Sequence, residues 1–318
     1  MQNPEMKVFV TGVNGQLGHD VMIELASRGI YSIGSGRSPV CTNVQKGSPV
    51  ASMPYIPLDI TDADKVNAVL AECAPDAVIH CAAWTNVDAA EAPEHRKQVF
   101  EINVNGTNYI ADSCARLGCK LAYISTDYVF NGQGTTPWPA DCTGYGPLSF
   151  YGYTKLMGEQ AVRFLVKRHF IVRISWVFGM NGGNFVKTML RLADTHDTLR
   201  IVNDQIGTPT YTRDIARLLV DMALSEAYGS YHASNEGGFI SWADFAEEIF
   251  RQEASLRHLE GARCRVIPVT TAEYGLSKAE RPKNSRLDKS KLKKAGFTPL
   301  PEWRNALRRY LSAYIQCG

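Results

Sequence analysis

The sequence lacks the features that mark several common classes of protein. None of its eight cysteines forms a Cys-x-x-Cys pair, and no cysteine–histidine cluster has the spacing of a zinc site. No uninterrupted apolar run approaches the roughly 18 residues of a membrane span, and the start "MQNPEMKVFVTG" has no charged segment followed by an apolar one. A net charge of +2 gives no reason to expect a nucleic-acid or membrane partner. We therefore expect a cytoplasmic, metal-free protein with reduced cysteines.

Short apolar runs alternate with amphipathic helical patterns over about the first 180 residues. Segments such as "KVFVTGV", "DAVIHCAAW" and "FIVRISWVFG" read as buried strands with helices between them. Near-continuous apolar strands that alternate with helices predict a parallel sheet covered on both faces. After about residue 180 the alternation weakens. The sequence thus predicts an α/β fold with a doubly wound, Rossmann-type parallel sheet and a smaller mixed C-terminal region.

The first predicted strand runs into the glycine-rich segment "TGVNGQLG", which places Gly12, Gly15 and Gly18 three residues apart at the start of a helix. Such a turn presents backbone N–H groups and the positive end of the helix dipole to an anion, and the missing side chains allow close approach. The spacing is Gly-x-x-Gly-x-x-Gly, which differs from the general Gly-x-Gly-x-x-Gly fingerprint. The segment predicts a binding site for the pyrophosphate of a dinucleotide.

The end of the second predicted strand indicates which dinucleotide binds. The segment "IGSGRSP" carries Arg37 where a carboxylate would hold a free ribose 2′-hydroxyl. Because a guanidinium suits a 2′-phosphate, the sequence favours NADP(H) over NAD(H). The alternative is that Arg37 is a solvated loop residue without a role in cofactor binding, in which case NADH is also a candidate cofactor.

Three tyrosines lie within nine positions of a Gly- and Pro-rich stretch: Tyr145, Tyr151 and Tyr153. Only Tyr151 has a lysine, Lys155, four residues on, where the two side chains share one face of a helix. A neighbouring cation favours the phenolate, so we expect Lys155 to lower the Tyr151 pKa. This pattern is typical of a tyrosine in acid–base chemistry.

Seven segments, taken together and in order, resemble the extended short-chain dehydrogenase/reductase superfamily and, within it, the dTDP-4-dehydrorhamnose reductase family. They are "GQLG", "AAWTNVDAAE", "STDYVFNG", "SFYGYTKLMGE", "VRISWVFG", "DQIGTPTY" and "RPKNSRLD". The resemblance spans residues 12–288. It implies the NADPH-dependent reduction of the C4 ketone of dTDP-4-dehydro-6-deoxy-L-mannose to dTDP-L-rhamnose.

The resemblance also implies the catalytic roles. Tyr151 would be the general acid, Lys155 its partner, and Thr126 the group that polarises the substrate carbonyl. Hydride delivery to a ketone carbon leaves charge on oxygen, so hydrogen-bond donors must lie where that oxyanion forms. The hydroxyl of Ser125 is the alternative to that of Thr126 for polarising the carbonyl. Asp127 is either a substrate contact or the cap of a strand end.

Further ligand contacts follow from the same resemblance. The implied cofactor residues are Gly12, Asn14, Gly15, Gln16, Leu17, Gly18, Arg37, Asp59, Ile60, Ala82, Ala83, Thr85, Asn103, Tyr151 and Lys155. The implied substrate residues are Val87, Asp88, Thr126, Asp127, Tyr151, Trp176, Arg281 and Arg286. Asn103 would support the lysine through water or would be a helix-kink residue. Arg281 and Arg286 would bind a diphosphate or form surface ion pairs.

On this basis we expect an NADP-binding Rossmann domain over residues 6–178, with a later contribution from about 206–232. Residues 179–318 would mainly bind the sugar nucleotide. The segment 131–147, rich in glycine and proline, is a candidate lid. A homodimer is left open.

Two other functions compete with this interpretation. The loop at about residues 37–54 is longer than expected for compact bacterial members, and "GSGR" is also similar to the β subunit of methionine adenosyltransferase. That relative binds NADP as a non-catalytic regulatory subunit. The other alternative is a nucleotide-sugar reductase, epimerase or dehydratase of different substrate. A dehydratase is disfavoured because Thr126 is followed by Asp127 and Tyr128, whereas dehydratases generally carry Asp-Glu there.

Overall fold

The computed structural model describes residues 6–42, 44 and 48–317. Its strands are β1 (Lys7–Thr11), β2 (Tyr31–Gly36), β3 (Tyr55–Pro57), β4 (Ala77–His80), β5 (Lys120–Thr126), β6 (His169–Ile174), β7 (Val177–Phe178), β8 (Thr198–Val202), β9 (Ile206–Gly207), β10 (Thr210–Tyr211), β11 (Gly229–His232), β12 (Ile240–Ser241) and β13 (Arg265–Val269).

The helices alternate with these strands in the first half of the chain. They are α1 (Gln16–Ser27), α2 (Ala63–Cys73), α3 (Val87–Ala90), α4 (Pro93–Phe100), α5 (Thr107–Leu117), α6 (Phe150–Leu165), α7 (Phe185–Ala193), α8 (Thr212–Leu224), α9 (Trp242–Leu256), α10 (Thr271–Tyr274), α11 (Ser290–Lys294) and α12 (Trp303–Cys317). In the described residues no helix is both long enough and apolar enough to cross a bilayer.

Seven strands form one parallel sheet in the order β11-β6-β5-β4-β1-β2-β3. The order reverses between β1 and β4, which opens a crevice at their carboxyl ends, where ligands bind in folds of this type. The predicted doubly wound parallel sheet is confirmed. The edge strand β11 comes from Gly229–His232, so a late part of the chain completes the sheet.

Apolar side chains cover both faces of the sheet, as the continuous apolar strands predict. On one face α1 and α8 pack together through residues such as Val21, Leu25 and Leu219. On the other face α2, α5 and α6 contribute Leu70, Ile110 and Val162. A third core joins α7, α9 and α12 beside the pair β8–β13. That core is the smaller mixed region.

The helical segment before β5 contains a π-helical turn over Glu101–Gly106, between α4 and α5. Gly106 explains part of this arrangement, because a Cβ there would lie 2.8 Å from Cγ1 of Ile60. The helix therefore passes close to the segment after β3. Asn103, on the same turn, is thereby directed into the protein.

The ion pair between Arg173 of β6 and Glu159 of α6 is fully buried. The guanidinium donates from Nε to Oε1 at 2.8 Å and from Nη2 to Oε2 at 2.7 Å. Further hydrogen bonds run from Ser125 Oγ to Glu159 Oε1 at 2.5 Å and from Arg173 to the carbonyl of Ala140 and the hydroxyl of Tyr145. This network joins β5, β6, α6 and the segment before α6.

We expect Glu159→Gln to lower the free energy of unfolding by about 3–5 kcal/mol, because it leaves the Arg173 charge buried without a partner. Urea unfolding at neutral pH measures the loss. Asp112→Asn is the control, since it breaks an exposed pair with Arg116 and should cost under about 1 kcal/mol. Equal losses in the two variants would contradict the prediction.

Candidate functional site

A cavity of about 740 Å³ lies at the carboxyl ends of the central strands, where the strand order reverses. It is lined by most of the residues that the sequence proposed for a ligand site. These are Gly12, Asn14, Gly15, Gln16, Leu17, Gly18, Arg37, Asp59, Ile60, Ala82, Ala83, Thr85, Val87, Thr126, Asp127, Tyr151, Lys155 and Trp176. Four proposed residues do not line it: Asp88, Asn103, Arg281 and Arg286.

The glycine turn between β1 and α1 forms one end of the cavity. Gly12 has a φ of +72°, and a Cβ there would lie 2.6 Å from the backbone nitrogen of Ala82. At Gly18 a Cβ would lie 2.4 Å from the carbonyl oxygen of Gly12. Both contacts are with backbone, so a larger residue cannot be accommodated by rotating a side chain. The turn is thus a cradle that only glycine can form.

Tyr151 and Lys155 lie on α6, with the lysine buried and the tyrosine half-buried. Ser149 caps the helix by accepting a hydrogen bond from the backbone N–H of Gly152 at 3.2 Å. The Lys155 Nζ lies 4.2 Å from the centre of the Tyr123 ring. Burial lowers the Lys155 pKa to about 7, although Glu159 opposes the shift.

The electrostatics around Tyr151 differ from the sequence-based expectation. Removal of the phenol from water raises the Tyr151 pKa, and the nearby Asp127 carboxylate raises it further. The expected lowering by Lys155 is therefore wrong for this structure, because burial and the Asp127 carboxylate dominate the Tyr151 pKa and the group that opposes them is Thr126. A phenol with a raised pKa keeps its proton at neutral pH and is suited to donating it.

Thr126 and Asp127 lie at the end of β5, facing the same cavity. Thr126 Oγ1 donates to Asp127 Oδ1 at 3.1 Å and accepts from the backbone N–H of Tyr128 at 3.2 Å. Asp127 is 1 % exposed, and within the described residues its Oδ2 has no hydrogen-bond partner. Burial raises the Asp127 pKa to about 6, partly opposed by its hydrogen bonds. Ser125 also lines the cavity, and its hydroxyl donates to Glu159.

Asn103 lies behind the cavity wall. Its Oδ1 accepts from the backbone N–H of Trp84 at 2.8 Å, and its Nδ2 donates to Thr154 Oγ1 at 3.1 Å. The side chain thereby links the segment after β4 to the residue that precedes Lys155. Its role towards a cofactor stays a prediction.

Asp88 and Arg281, both proposed as substrate contacts, bind one another. Arg281 donates from Nη2 to Asp88 Oδ2 at 2.6 Å and from Nη1 to Oδ1 at 3.1 Å. The same carboxylate accepts from the backbone N–H groups of Lys278 and Ala279. Arg286 donates to Asn284 Oδ1 at 3.0 Å. Neither arginine reaches the cavity in this conformation.

The candidate lid is firmly attached to the chain near residues 284–288. Trp138 exchanges backbone hydrogen bonds of 2.9 Å with Arg286 and Asp288. Asn284 Nδ2 donates to the carbonyls of Gln133 and Thr136 at 3.1 and 2.9 Å. Of the two other tyrosines in this stretch, Tyr145 accepts a hydrogen bond from Arg173, and Tyr153 is 44 % exposed.

Sequence reasoning missed Trp242 and Phe185, which line the cavity beside Trp176. Trp176 has a φ of +49°, and its ring stacks on Trp242 with centroids 3.7 Å apart. Gly207 makes room for it, since a Cβ there would lie 2.8 Å from the indole. No local sequence signal connects these residues, because they come from three separate parts of the chain: the turn between β6 and β7, α7 and α9.

The fold and the cavity define a dinucleotide-dependent oxidoreductase of the extended short-chain dehydrogenase/reductase type. The family described as the RmlD substrate binding domain matches residues 6–316. The chain belongs to the dTDP-4-dehydrorhamnose reductase family.

Individual relatives cover nearly the whole chain. The spore coat polysaccharide biosynthesis protein SpsK of Bacillus subtilis is 38% identical, with 96% of each chain covered. The dTDP-4-dehydrorhamnose reductase of Aggregatibacter actinomycetemcomitans is 35% identical over 98% of this chain and 99% of its own. The solved dTDP-4-dehydrorhamnose reductase of Bacillus anthracis, in complex with NADP, has a TM-score of 0.80 and 35% identity, covering 98% and 99% of the two chains.

The buried Asp127 carboxyl predicts a specific pH dependence of stability. Its pKa of about 6 lies above that of the unfolded chain, so the folded state binds this proton more tightly. Its stabilising contribution is therefore complete below about pH 4 and is lost as the pH rises through about 6. Relative to Asp127→Asn, the wild type should lose about 3 kcal/mol over this range.

Urea unfolding of both proteins between pH 4 and pH 7 measures this difference. Asp197→Asn, at an exposed position, is the matched control and should follow the wild-type curve. If the difference between wild type and Asp127→Asn is constant with pH, the Asp127 pKa is not raised.

Proposed function

We propose that the protein catalyses the NADPH-dependent reduction of the C4 ketone of dTDP-4-dehydro-6-deoxy-L-mannose to dTDP-L-rhamnose. One observation carries the proposal: Tyr151, Lys155 and Thr126 line the same cavity as the glycine turn. Family membership and the names of the relatives support the substrate class.

The residues of the cavity fit a bound NADPH. The cradle at Gly12 and Gly18 leaves no space for a Cβ and suits a pyrophosphate beside the α1 N-terminus. The Arg37 guanidinium, at the end of β2, would hold the 2′-phosphate. Asp59 and Ile60 would contact the adenine, and Ala82, Ala83 and Thr85 the ribose and nicotinamide. NADPH, when bound, supplies the hydride.

The chain's own residues handle the proton and the charge on oxygen. Tyr151 donates its phenolic proton to the C4 oxygen as negative charge develops there. Thr126, whose Oγ1 accepts from the Tyr128 N–H and donates to Asp127 Oδ1, would turn its O–H away from that carboxylate to donate a second hydrogen bond to the C4 oxygen. Ser125 is the weaker candidate for this role because its hydroxyl donates to the fully buried Glu159 carboxylate, which is held in the ion pair with Arg173. Lys155 supplies the positive charge that stabilises the resulting phenolate.

The sugar nucleotide would occupy the part of the cavity near Val87, Asp127 and Trp176. The unpartnered Asp127 Oδ2 suits a sugar hydroxyl, because a buried acceptor without a donor is costly. Arg281 would bind the diphosphate only after leaving Asp88, so substrate binding would exchange one anion for another. Arg286 would approach the same groups from the neighbouring segment.

Consumption of NADPH in the presence of dTDP-4-dehydro-6-deoxy-L-mannose, followed by the absorbance of the reduced nicotinamide, tests the proposal. Turnover with formation of dTDP-L-rhamnose supports it. Tight binding of NADP without turnover of this or any related 4-keto sugar would reject the enzyme and favour the regulatory-subunit alternative.

Tyr151→Phe should lower kcat by about 10²–10⁴-fold, because it removes the proton donor. The dissociation constant of NADPH should change little, since the ring remains. Tyr153→Phe is a closely matched control: it lies two residues on along α6 with an exposed ring, and should keep wild-type kcat. Unchanged kcat in Tyr151→Phe would remove Tyr151 from the mechanism.

Arg37→Ala should raise the KM for NADPH about 10- to 100-fold through the loss of charge-assisted hydrogen bonds to the 2′-phosphate. The KM for NADH should change by no more than about twofold, because NADH has no such group. Arg217→Ala, which removes an exposed arginine of α8, is the control. Equal effects of Arg37→Ala on both cofactors would reject its role in cofactor choice.

A further inference from the structure

The backbone that carries Arg37 is fixed by two side chains that belong to other elements. After β2 ends at Gly36, the chain continues through Arg37 and Ser38, which both line the cavity, to Thr42. The first of these fixed points is at Ser38 and the second at Thr42. We call residues 37–42 the cofactor loop.

Tyr55 holds the first point. It lies on the edge strand β3, and its hydroxyl donates to the carbonyl oxygen of Ser38 at 2.7 Å. Backbone hydrogen bonds of 2.9 Å on either side of Tyr55, from Gly34 to Pro54 and from Leu58 to Gly36, fix β3 against β2. The phenol thus reaches the cofactor loop from a strand that is hydrogen-bonded to β2.

Asn14 holds the second point from within the glycine turn. Its Oδ1 accepts from the backbone N–H of Thr42 at 2.8 Å. Both side chains converge at Gly36, where a Cβ would lie 3.1 Å from Asn14 Nδ2 and 3.2 Å from the Tyr55 hydroxyl. The glycine turn and the cofactor loop are therefore joined through side chains, in addition to lying beside the same cavity.

We propose that Tyr55 is a positioning residue that sets the preference for a 2′-phosphorylated dinucleotide, by holding the Ser38 carbonyl and thereby the backbone of Arg37. The inference rests on the proposed function, which places the 2′-phosphate at Arg37. Asn14 completes the arrangement from the opposite end of the cofactor loop.

The physical reason is preorganisation. The Arg37 side chain is exposed, so its own packing does not hold it, and its position depends on the backbone beneath it. Ordering a flexible loop at the moment of binding weakens affinity, whereas a loop that is already ordered avoids this loss. A ligand without the 2′-phosphate gains little from the position of Arg37. Tyr55 therefore affects the difference in binding affinity between NADPH and NADH.

The experiment measures equilibrium dissociation constants of NADPH and NADH by nucleotide fluorescence, without substrate, for four proteins and one control. The four form a double-mutant cycle: wild type, Tyr55→Phe, Arg37→Ala and the double variant. Tyr55→Phe removes only the hydroxyl. The control, Tyr31→Phe, deletes the hydroxyl of an exposed tyrosine at the start of β2.

Tyr55→Phe should weaken NADPH binding about three- to tenfold, as expected for the loss of one hydrogen bond, and NADH binding by less than about twofold. In the Arg37→Ala background the same change should have no further effect on NADPH, because Tyr55 acts through Arg37. Tyr31→Phe should match the wild type with both cofactors.

Two results would overturn the inference while leaving the proposed cofactor intact. One is an equal loss of affinity for NADPH and NADH in Tyr55→Phe, which would indicate a general structural role. The other is an undiminished effect of Tyr55→Phe in the Arg37→Ala background. If the wild type binds both cofactors equally, the proposed NADPH preference fails, and the inference fails with it.

Discussion

The buried ion pair between Arg173 and Glu159 is the interaction on which the candidate site most depends. Two charges without exposure to water are stable only when each is neutralised and fully hydrogen-bonded. Here the bonds that meet this requirement extend to Ser125 at the end of β5 and to Tyr145 before α6. Because Thr126 follows Ser125 directly, the ion pair fixes the strand end that carries the proposed oxyanion donor.

The same pair also orients α6. Tyr151, Lys155 and Glu159 are spaced four residues apart, so they share one face of the helix. Glu159 anchors that face in the protein, Lys155 lies one turn nearer the cavity, and Tyr151 lies at the helix start. Gly158 allows α6 to pack closely against Tyr123 of β5, because a Cβ at this position would clash with the Tyr123 hydroxyl at 2.4 Å. Scaffold and proposed chemistry therefore occupy one face of a single helix.

Local pattern was sufficient to predict the sheet, the glycine turn and the placement of Tyr151 and Lys155 on one helix, because each depends on spacing along a short segment. It could not predict contacts between distant segments. The ion pair of Asp88 with Arg281 joins residues 193 positions apart, and the stacking of Trp242 on Trp176 joins different elements. The direction of the Tyr151 pKa was also beyond the sequence, since it depends on burial and on the position of Asp127.

Burial shifts the pKa values of two ionisable groups that line the cavity, Lys155 and Asp127, in opposite directions. It lowers the Lys155 pKa to about 7 and raises the Asp127 pKa to about 6, because it disfavours the charged form of each. Both groups therefore titrate close to neutral pH, where small electrostatic changes alter their charge. An anionic ligand beside Lys155 raises its pKa and favours the ammonium form. Binding of such a ligand would therefore increase the positive charge that Lys155 presents to Tyr151, the proposed proton donor.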